Sequence, residues 1–532
     1  MVSLMGSKKD RKDHDHENNT AQNNHSNNDG PPPSTSEADE RTRLLPPQQP
    51  HEGYLSPDDP AVSPYNLWTI RFLRYFTVIF GMLTFLWWVL LLVSTFVSPP
   101  GIHARGSGFL AYSYATLTLG LLVIVLLFFS MPSKAALITT LVIAVLLLVD
   151  IIMIVAIPRL RVEEGWIGIA TVVWACLMSI WTVMIDRVVA WGKHEEEERL
   201  TGRMETRRTL REWCGVLTST IFLIILAVVV VFVSATLILR ARDASLPPPG
   251  EKYYVDGDKY QVHFYCEGST TNAYGKVIPT VLFEAGSRPF EESMIDIATA
   301  ALKNGSISRY CYSDRPGFGW SDNAPAPFSA GMASTALSEA LARAGEEGPW
   351  VLASAGVGSI YSRIFSSRHG HDVVGLLLID PLHEDLLHHL SSSNRGFLLW
   401  IRGVLSPLGL DRLSGALFKG RTREDRVYGR ASQQNEKYIK AKLQEALVAD
   451  SLTKNEVVSA RTIQDQETPL ALVSSGIELK RDSEWERKQR DLTHITNNLL
   501  AWDIVSKAPT EVWRTQNGRE IIEKRLKQLV NV

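Results

Sequence analysis

Five long runs of apolar residues follow residue 67 and dominate the first half of the chain. Each run is about 20 residues long, which is the length that a helix needs to cross the hydrocarbon core of a bilayer. The predicted spans are 76–97, 108–130, 135–157, 166–185 and 216–239. One such run could be a buried helix of a soluble domain, but five in succession predict an all-α transmembrane bundle of five helices over 68–242.

The hydrophobic pattern changes after a proline-containing linker at 243–252, where short apolar runs begin to alternate with amphipathic stretches. The runs typical of strands lie at 254–255, 260–265, 280–284, 308–312, 350–353, 374–379 and 501–505. Helical stretches are predicted at 328–344 and at 520–530. A further helical stretch begins at the end of the 350–353 strand and runs to about residue 367. This alternation predicts a mostly parallel sheet with crossover helices over 253–532.

The first 67 residues have a different composition, rich in Asn, His, Asp, Pro and Ser. Few of these residues could build a core, so we expect a disordered tail, and no apolar run near Met1 is typical of a signal peptide. Glu40 stands four positions before the pair Leu44 and Leu45. This short piece resembles an acidic dileucine signal that sorts membrane proteins to endosomes, lysosomes or vacuoles.

The lysine and arginine residues near the span ends predict the orientation of the chain. The richer side includes Arg71, Arg74, Lys134, Arg187, Lys193, Arg199, Arg203, Arg207, Arg208 and Arg211, whereas the other side has Arg105, Arg159, Arg161, Arg240 and Arg242. Because cytosolic loops carry the excess of positive charge, the tail is expected in the cytosol and the C-terminal domain in a lumen or outside the cell. For the membrane itself, we favour an endomembrane over the plasma membrane. The net charge of −2 gives no reason to expect a nucleic-acid partner.

Asp150 lies within the third predicted span, where a carboxyl group is costly unless it has a partner. No lysine or arginine lies within a predicted span to pair with it. We therefore interpret Asp150 as a hydrogen-bonding residue of the bundle, with a transport role as the alternative.

The stretch from Pro349 to Arg363 has the outline of a nucleophile elbow, a strained strand-to-helix turn. Residues two before and two after the nucleophile must be small, and Ser354 and Gly358 fit these positions. Gly356 then occupies the nucleophile position, without a side chain that could attack. Ser354 and Ser359 are weaker alternatives, because Leu352 and Tyr361 would take positions that require small residues.

The run Asp-Arg-Pro-Gly-Phe-Gly-Trp-Ser at 314–321 resembles the loop after the fourth strand of the α/β-hydrolase superfamily, in the branch of proline iminopeptidases, epoxide hydrolases and haloalkane dehalogenases. Phe-Glu-Ala-Gly at 283–286 precedes it, and the turn and Ile-Asp-Pro-Leu-His-Glu-Asp at 379–385 follow in the family's order. The resemblance covers roughly 253–530. It implies an α/β-hydrolase fold, a mostly parallel sheet with a helical cap at 386–468.

The family's catalytic positions can be carried over one at a time. A serine hydrolase needs a nucleophile, a histidine base, an orienting carboxylate and backbone N–H donors for the oxyanion. The resemblance places the oxyanion donors at Val357 and at Ser287 or Arg288. It places the acid at Asp380, with Glu478 and Asp482 as alternatives. The histidine position falls on or next to Thr510, and the last histidine, His494, precedes the final strand.

The resemblance has two further implications. Cys266 and Cys311 would lie on neighbouring strands, where a disulfide is feasible in an oxidising compartment. The cap position of 386–468 implies that this segment covers the pocket, although its apolar run at 397–401 could instead touch a bilayer surface.

Asn304 begins a glycosylation sequon, Asn-Gly-Ser, on the same side of the membrane as the cysteines.

Three functions are consistent with the sequence. The first is a membrane-anchored pseudo-hydrolase whose domain binds a small apolar ligand or a protein partner, with the lipid bilayer around its helices. The second is an active esterase-like or lipase-like hydrolase that uses Ser354 or Ser359. The third is a five-helix transporter with an accessory domain. No sequence motif indicates a metal or an organic cofactor.

Overall fold

The computed structural model of the protein describes residues 67–201, 209–271 and 275–531. The proposed sorting residues Glu40, Leu44 and Leu45 lie outside the described residues, as does most of the predicted tail. Within these described ranges, five helices are long and apolar enough to cross a membrane. They are α1 (Trp68–Phe96), α2 (Phe109–Leu127), α3 (Lys134–Ala156), α4 (Pro158–Thr201) and α5 (Leu210–Asp243).

α1, α4 and α5 extend beyond the predicted spans because helical structure does not stop where the hydrocarbon ends, whereas α2 is shorter than its predicted span and α3 nearly coincides with its own. α1 begins eight residues before the predicted span and includes Arg71 and Arg74. α4 breaks at Gly165, whose φ is 60°, so that the predicted span from Trp166 begins directly after the break. A positive φ is accessible to glycine without the penalty that a Cβ would bring.

Asp150 holds three helices of the bundle together. Its Oδ2 accepts hydrogen bonds from the Tyr114 hydroxyl on α2 at 2.9 Å and from the Ser234 hydroxyl on α5 at 3.0 Å. The side chain is completely buried. The interpretation of Asp150 as a hydrogen-bonding residue of the bundle is confirmed.

The C-terminal domain contains one sheet of eight strands in the order β1-β2-β4-β3-β5-β6-β7-β8. The strands are β1 (Glu251–Val255), β2 (Tyr260–Gly268), β3 (Thr280–Glu284), β4 (Arg309–Ser313), β5 (Trp350–Ala355), β6 (Val373–Ile379), β7 (Leu470–Ser475) and β8 (Leu499–Val505). β2 pairs antiparallel with β1 and β4, and the remaining neighbours are parallel. This is the α/β-hydrolase fold, as predicted.

Helices cover both faces of the sheet. They are α6 (Phe290–Ser293), α7 (Ile295–Lys303), α8 (Ala330–Ala344), α9 (Gly358–Arg368), α15 (Gly476–Arg481), α16 (Ser483–Leu492) and α17 (Gln516–Val530). Because side chains alternate along a strand, Val281 and Phe283 pack with α7 and α17, whereas Leu282 packs with α8 and α9.

The cap consists of helices inserted between β6 and β7. They are α10 (Ser393–Leu405), α11 (Leu410–Phe418), α12 (Arg423–Val427), α13 (Glu436–Val448) and α14 (Lys454–Ile463). The cap contacts the membrane helices as well as the sheet domain, since Gly403 packs against Phe109 and Gly409 against Thr236.

The disulfide implied by the resemblance is present. Cys266 on β2 stands directly opposite Cys311 on β4, and the two sulfurs are bonded. Antiparallel pairing brings the two Cα atoms to 4.1 Å. The bridge therefore closes a loop across two adjacent strands.

Candidate active site

The strand-to-helix turn has the geometry that its sequence predicts. β5 ends at Ala355, Gly356 adopts a φ of 52°, and α9 begins at Gly358. The Gly356 N–H donates to the Ile379 carbonyl at the end of β6, at 3.0 Å. A Cβ placed on Gly356 would meet no atom within 4 Å. The turn therefore leaves an open space where a nucleophile would stand.

Gly358 packs against the loop that follows β3. A Cβ at Gly358 would lie 2.5 Å from the Ala285 carbonyl oxygen and 2.7 Å from that of Glu284, so a larger residue does not fit. The close approach brings the backbone after Glu284 next to the start of α9. Within the part of the chain that the structure describes, neither the Val357 N–H nor the Ser287 N–H donates a hydrogen bond.

Asp380 directly follows β6, at the same edge of the sheet as Gly356. Its carboxyl is buried, and Oδ1 accepts a hydrogen bond from the Ser475 N–H at 3.1 Å. Burial, assisted by the nearby charge of Glu478, raises the pKa of Asp380 to about 7. This carboxyl group is therefore only about half ionised at pH 7, whereas the carboxylate that orients a catalytic imidazolium is fully ionised.

The loop after β8 occupies the position where the family's histidine would lie. The Ser475 hydroxyl donates to the Ala508 carbonyl at 2.7 Å, which ties this loop to β7, and Thr510 is exposed two residues later. No histidine occurs between Ser506 and Glu511. His494 is also exposed and lies before β8.

Three of the four alternative catalytic residues have other polar contacts, and the buried Ser354 hydroxyl has no hydrogen-bond partner among the described residues. Ser354 is fully buried within β5, and the Ser359 hydroxyl donates to the Gly356 carbonyl at 2.7 Å. Glu478 pairs with Arg481 at 2.9 Å, and the Asp482 carboxylate caps α16 by accepting from the Glu484 N–H at 2.8 Å.

A buried cluster of charged residues, which sequence reasoning missed, lies between the turn and the cap. Arg315 is buried, donates to the Gly286 carbonyl, and lies 3.4 Å from Glu284 and 3.8 Å from Glu445. Its guanidinium also lies over the Tyr361 ring of α9. The guanidinium thus joins the loop after β3, the turn helix and the cap helix α13.

The two acids of this cluster respond differently to their surroundings. Burial raises the pKa of Glu284 to about 7 even beside Arg315. Burial also acts to raise the pKa of Glu445, but Lys442, at 2.6 Å, and Arg315 together hold that pKa below its usual value. Glu445 therefore carries the negative charge that balances these cations.

A second ion-pair group borders the site. Arg288, in the loop after β3, lies 2.8 Å from Glu292 and 3.3 Å from Glu511 in the loop after β8. Arg514 pairs with Glu511 at 2.5 Å. The loop that would carry the catalytic histidine is held to the oxyanion loop by ion pairs instead.

Among the described residues, two buried histidines lie beside carboxylates, and one of them, His383, directly follows Leu382, whose N–H donates to the Gly356 carbonyl at 3.0 Å. His263 Nδ1 is 3.0 Å from Asp314, and His383 Nε2 is 2.9 Å from Asp491. A second carboxylate lies near each histidine, Glu291 near His263 and Glu384 near His383. Metal binding is not favoured, because the second ring nitrogen of His263 faces the Pro249 carbonyl and Glu384 pairs with Arg363 at 2.8 Å. A third group contains the two disulfide-bonded cysteines.

Buried charges also join the bundle to the cap. Arg240, near the end of α5, lies 2.9 Å from Glu163 and 2.7 Å from Glu164 on α4, and 3.6 Å from Glu436 on α13. Lys437 lies 3.4 Å from Glu163. Burial lowers the pKa of Lys437, although Glu163 opposes this effect. We call these five residues the bundle–cap junction.

Comparisons with known proteins identify relatives of the whole chain. An uncharacterized protein of Schizosaccharomyces pombe is 33% identical over 527 residues, which are 93% of this chain and 97% of that protein. The chain belongs to the family of this fission-yeast protein. The profile of a family described as "Region of unknown function (DUF2417)" matches residues 40–266, and these include the membrane helices and β1 and most of β2.

Other relatives are more distant. A protein of Saccharomyces cerevisiae named "Uncharacterized vacuolar membrane protein" is 26% identical over 385 residues, 62% of this chain and 59% of that protein. Among solved structures, the Cif epoxide hydrolase of Acinetobacter nosocomialis has 12% identity and a TM-score of 0.40, with 57% of this chain and 96% of that chain covered. The enol-lactonase of Burkholderia xenovorans has 14% identity and a TM-score of 0.36, with 53% and 100% covered. The fold is assigned from the strand order and not from these two scores.

Proposed function

We propose that the protein is a multi-pass membrane protein whose α/β-hydrolase-fold domain binds a ligand or a partner and does not hydrolyse it. The observation that carries this proposal is Gly356 in the nucleophile position, with open space above it and no histidine in the loop after β8. Without a hydroxyl and a base, the remaining Asp380 has no imidazole to orient. Gly356, Asp380 and Thr510 are then vestigial catalytic positions.

The charged cluster supports a binding role. Arg315, Glu284 and Glu445 occupy the space between the turn and the cap, where a hydrolase would admit its substrate. A cavity beside this cluster is lined by both polar and apolar side chains, including Ser334, Leu337, Leu352 and Tyr361. With a volume of about 20 Å³ this cavity holds about one water molecule, so a ligand would enter it only if the cap moved away from the cluster.

Labelling with a fluorophosphonate probe tests the proposal against an active hydrolase. The purified full-length protein is expected to remain unlabelled under conditions that label an active esterase completely. Labelling that disappears in Ser354→Ala or Ser359→Ala would identify a working serine and refute the proposal.

We also propose a location for the protein. The name of the budding-yeast relative favours a vacuolar or related endomembrane, with the tail in the cytosol and the C-terminal domain in the lumen. The disulfide suits an oxidising compartment of this kind.

Glycosylation provides a test of this orientation. Asn304 is exposed after α7, and its amide donates to Glu523 at 2.9 Å. In a glycosylating host we expect a glycan on Asn304, so that Asn304→Gln removes a mobility shift that a glycosidase also removes. The tail offers matched controls in the sequons at Asn18 and Asn24. A shift that depends on those residues and not on Asn304 would reverse the orientation.

A further inference from the structure

An apolar groove lies where the end of α1 meets the cap helices α10 and α13, apart from the turn. Its apolar walls are formed by Leu92, Phe96, Phe397, Trp400, Leu443 and Leu447. Three consecutive serines, Ser391 to Ser393, line the same groove. The groove has a volume of about 570 Å³.

The position of the groove along the bundle places it at the edge of the bilayer. Leu92 and Phe96 belong to a helix long and apolar enough to span the membrane. On the other side of the bundle the cap reaches Thr236, which Gly409 contacts, seven residues before the end of α5 at Asp243. At a rise of 1.5 Å per residue this is about 10 Å below the helix end. The cap therefore extends to the depth at which lipid surrounds the bundle.

The cap helices also present large apolar side chains outward at this level. Phe397 and Leu398 of α10 are 57% and 60% exposed, and Leu417 and Phe418 of α11 are 75% and 85% exposed. Soluble surfaces seldom carry such groups together, whereas helices that lie in a bilayer interface do. The exposed cation Arg395 lies in the first turn of α10, two to four residues after the three serines of the groove, and suits an anionic phosphate.

We propose that this groove binds an acyl chain of a phospholipid from the surrounding leaflet, with α10 and α11 resting in the bilayer interface. The lipid phosphate would lie near Arg395 and the serines, and the chain between α1 and α13. α13 also connects the groove to the charged cluster, because Leu443 and Leu447 line the groove while Lys442 and Glu445 face Arg315. The proposal goes beyond the proposed function and holds whether or not the domain hydrolyses anything.

Photo-crosslinking of the full-length protein in phosphatidylcholine nanodiscs tests the proposal, with a diazirine on one acyl chain of the lipid. We expect adducts to concentrate on peptides from α10 and α13. Gly396→Trp should reduce these adducts several-fold, because Gly396 lines the groove and a Cβ there meets no atom within 4 Å. Leu447→Trp is a second groove-filling variant that should act in the same way.

Gly81→Trp is the matched control, since Gly81 lies on α1 outside the groove and a Cβ there also meets no atom within 4 Å. It should leave the adducts on α10 and α13 unchanged. Adducts no more frequent on those helices than on the exposed residues Ile79 and Met82 of α1 would overturn the proposal. So would groove-filling variants that keep the wild-type melting temperature and the wild-type adduct yield. Fluorophosphonate labelling is unaffected by either result, so the two proposals fail independently.

Discussion

Arg240→Ala is expected to destabilise the protein strongly. The substitution leaves Glu163, Glu164 and Glu436 buried without the guanidinium that lies between them. Removing one partner of a buried ion pair costs about 3–5 kcal/mol, because an uncompensated charge remains in a site of low polarity. For a protein of 532 residues that corresponds to a fall in melting temperature of roughly 3–5 °C, measurable by scanning fluorimetry in detergent.

Arg242→Ala is the matched control, since Arg242 is exposed two residues further along α5. It should change the melting temperature by no more than about 0.5 °C, because surface substitutions usually change the stability by less than about 0.5 kcal/mol. Equal melting temperatures for Arg240→Ala and the wild type would mean that the bundle–cap junction does not hold the two parts together.

The stability of the C-terminal domain is expected to fall as the pH rises from about 4 to about 7. Asp380 has its pKa raised by burial to about 7, above the usual 3.8, so the folded state retains a proton that the unfolded state releases within this window. The protonated folded form is therefore favoured at low pH, and the advantage is lost by pH 7. Each unit of such a shift corresponds to roughly 1.4 kcal/mol, so the effect of Asp380 amounts to a few kcal/mol.

Asp380→Asn isolates this effect. Asparagine is neutral at every pH and can still accept the hydrogen bond from the Ser475 N–H. The variant should match the wild type near pH 4 and have the higher melting temperature at pH 8. Asp372→Asn, at the exposed position just before β6, should leave the pH dependence unchanged. An Asp380→Asn variant that is less stable than the wild type at pH 8 would show that the carboxylate is ionised and needed.

Much of the fold can be predicted from the sequence because its elements follow local hydrophobic patterns. The strand at 280–284 is largely apolar up to Glu284, and its structural bounds agree with the prediction. β1 begins at Glu251, earlier than predicted, because Glu251 and Lys252 break the apolar pattern but pair with Phe264 and His263. Backbone pairing with β2 therefore extends β1 beyond the apolar residues from which the strand was predicted.

The charged clusters could not be predicted in the same way. Arg315 belongs to the recognised loop motif, yet its partner Glu445 lies 130 residues later on a cap helix. The sequence around Arg240 predicts only a positive charge at the end of a membrane helix. No residue near Arg240 in the sequence indicates that it contacts Glu436. Such contacts depend on how the cap docks, and docking leaves no periodic signal in the sequence. For Gly356, in contrast, the spacing of small residues alone predicts the nucleophile position, and the strand-to-helix turn with a φ of 52° is consistent with this prediction.

Fluorophosphonate labelling of Gly356→Ser tests the central claim most directly, because this change supplies the missing hydroxyl at a position with free space. Gly356→Ala is the matched control, since it imposes the same backbone strain at a φ of 52° without a hydroxyl. We predict that Gly356→Ser remains as unlabelled as Gly356→Ala, because the loop after β8 has no histidine to take the serine proton and His383 is engaged by Asp491. Stoichiometric labelling of Gly356→Ser would contradict the account and reveal a base at this site.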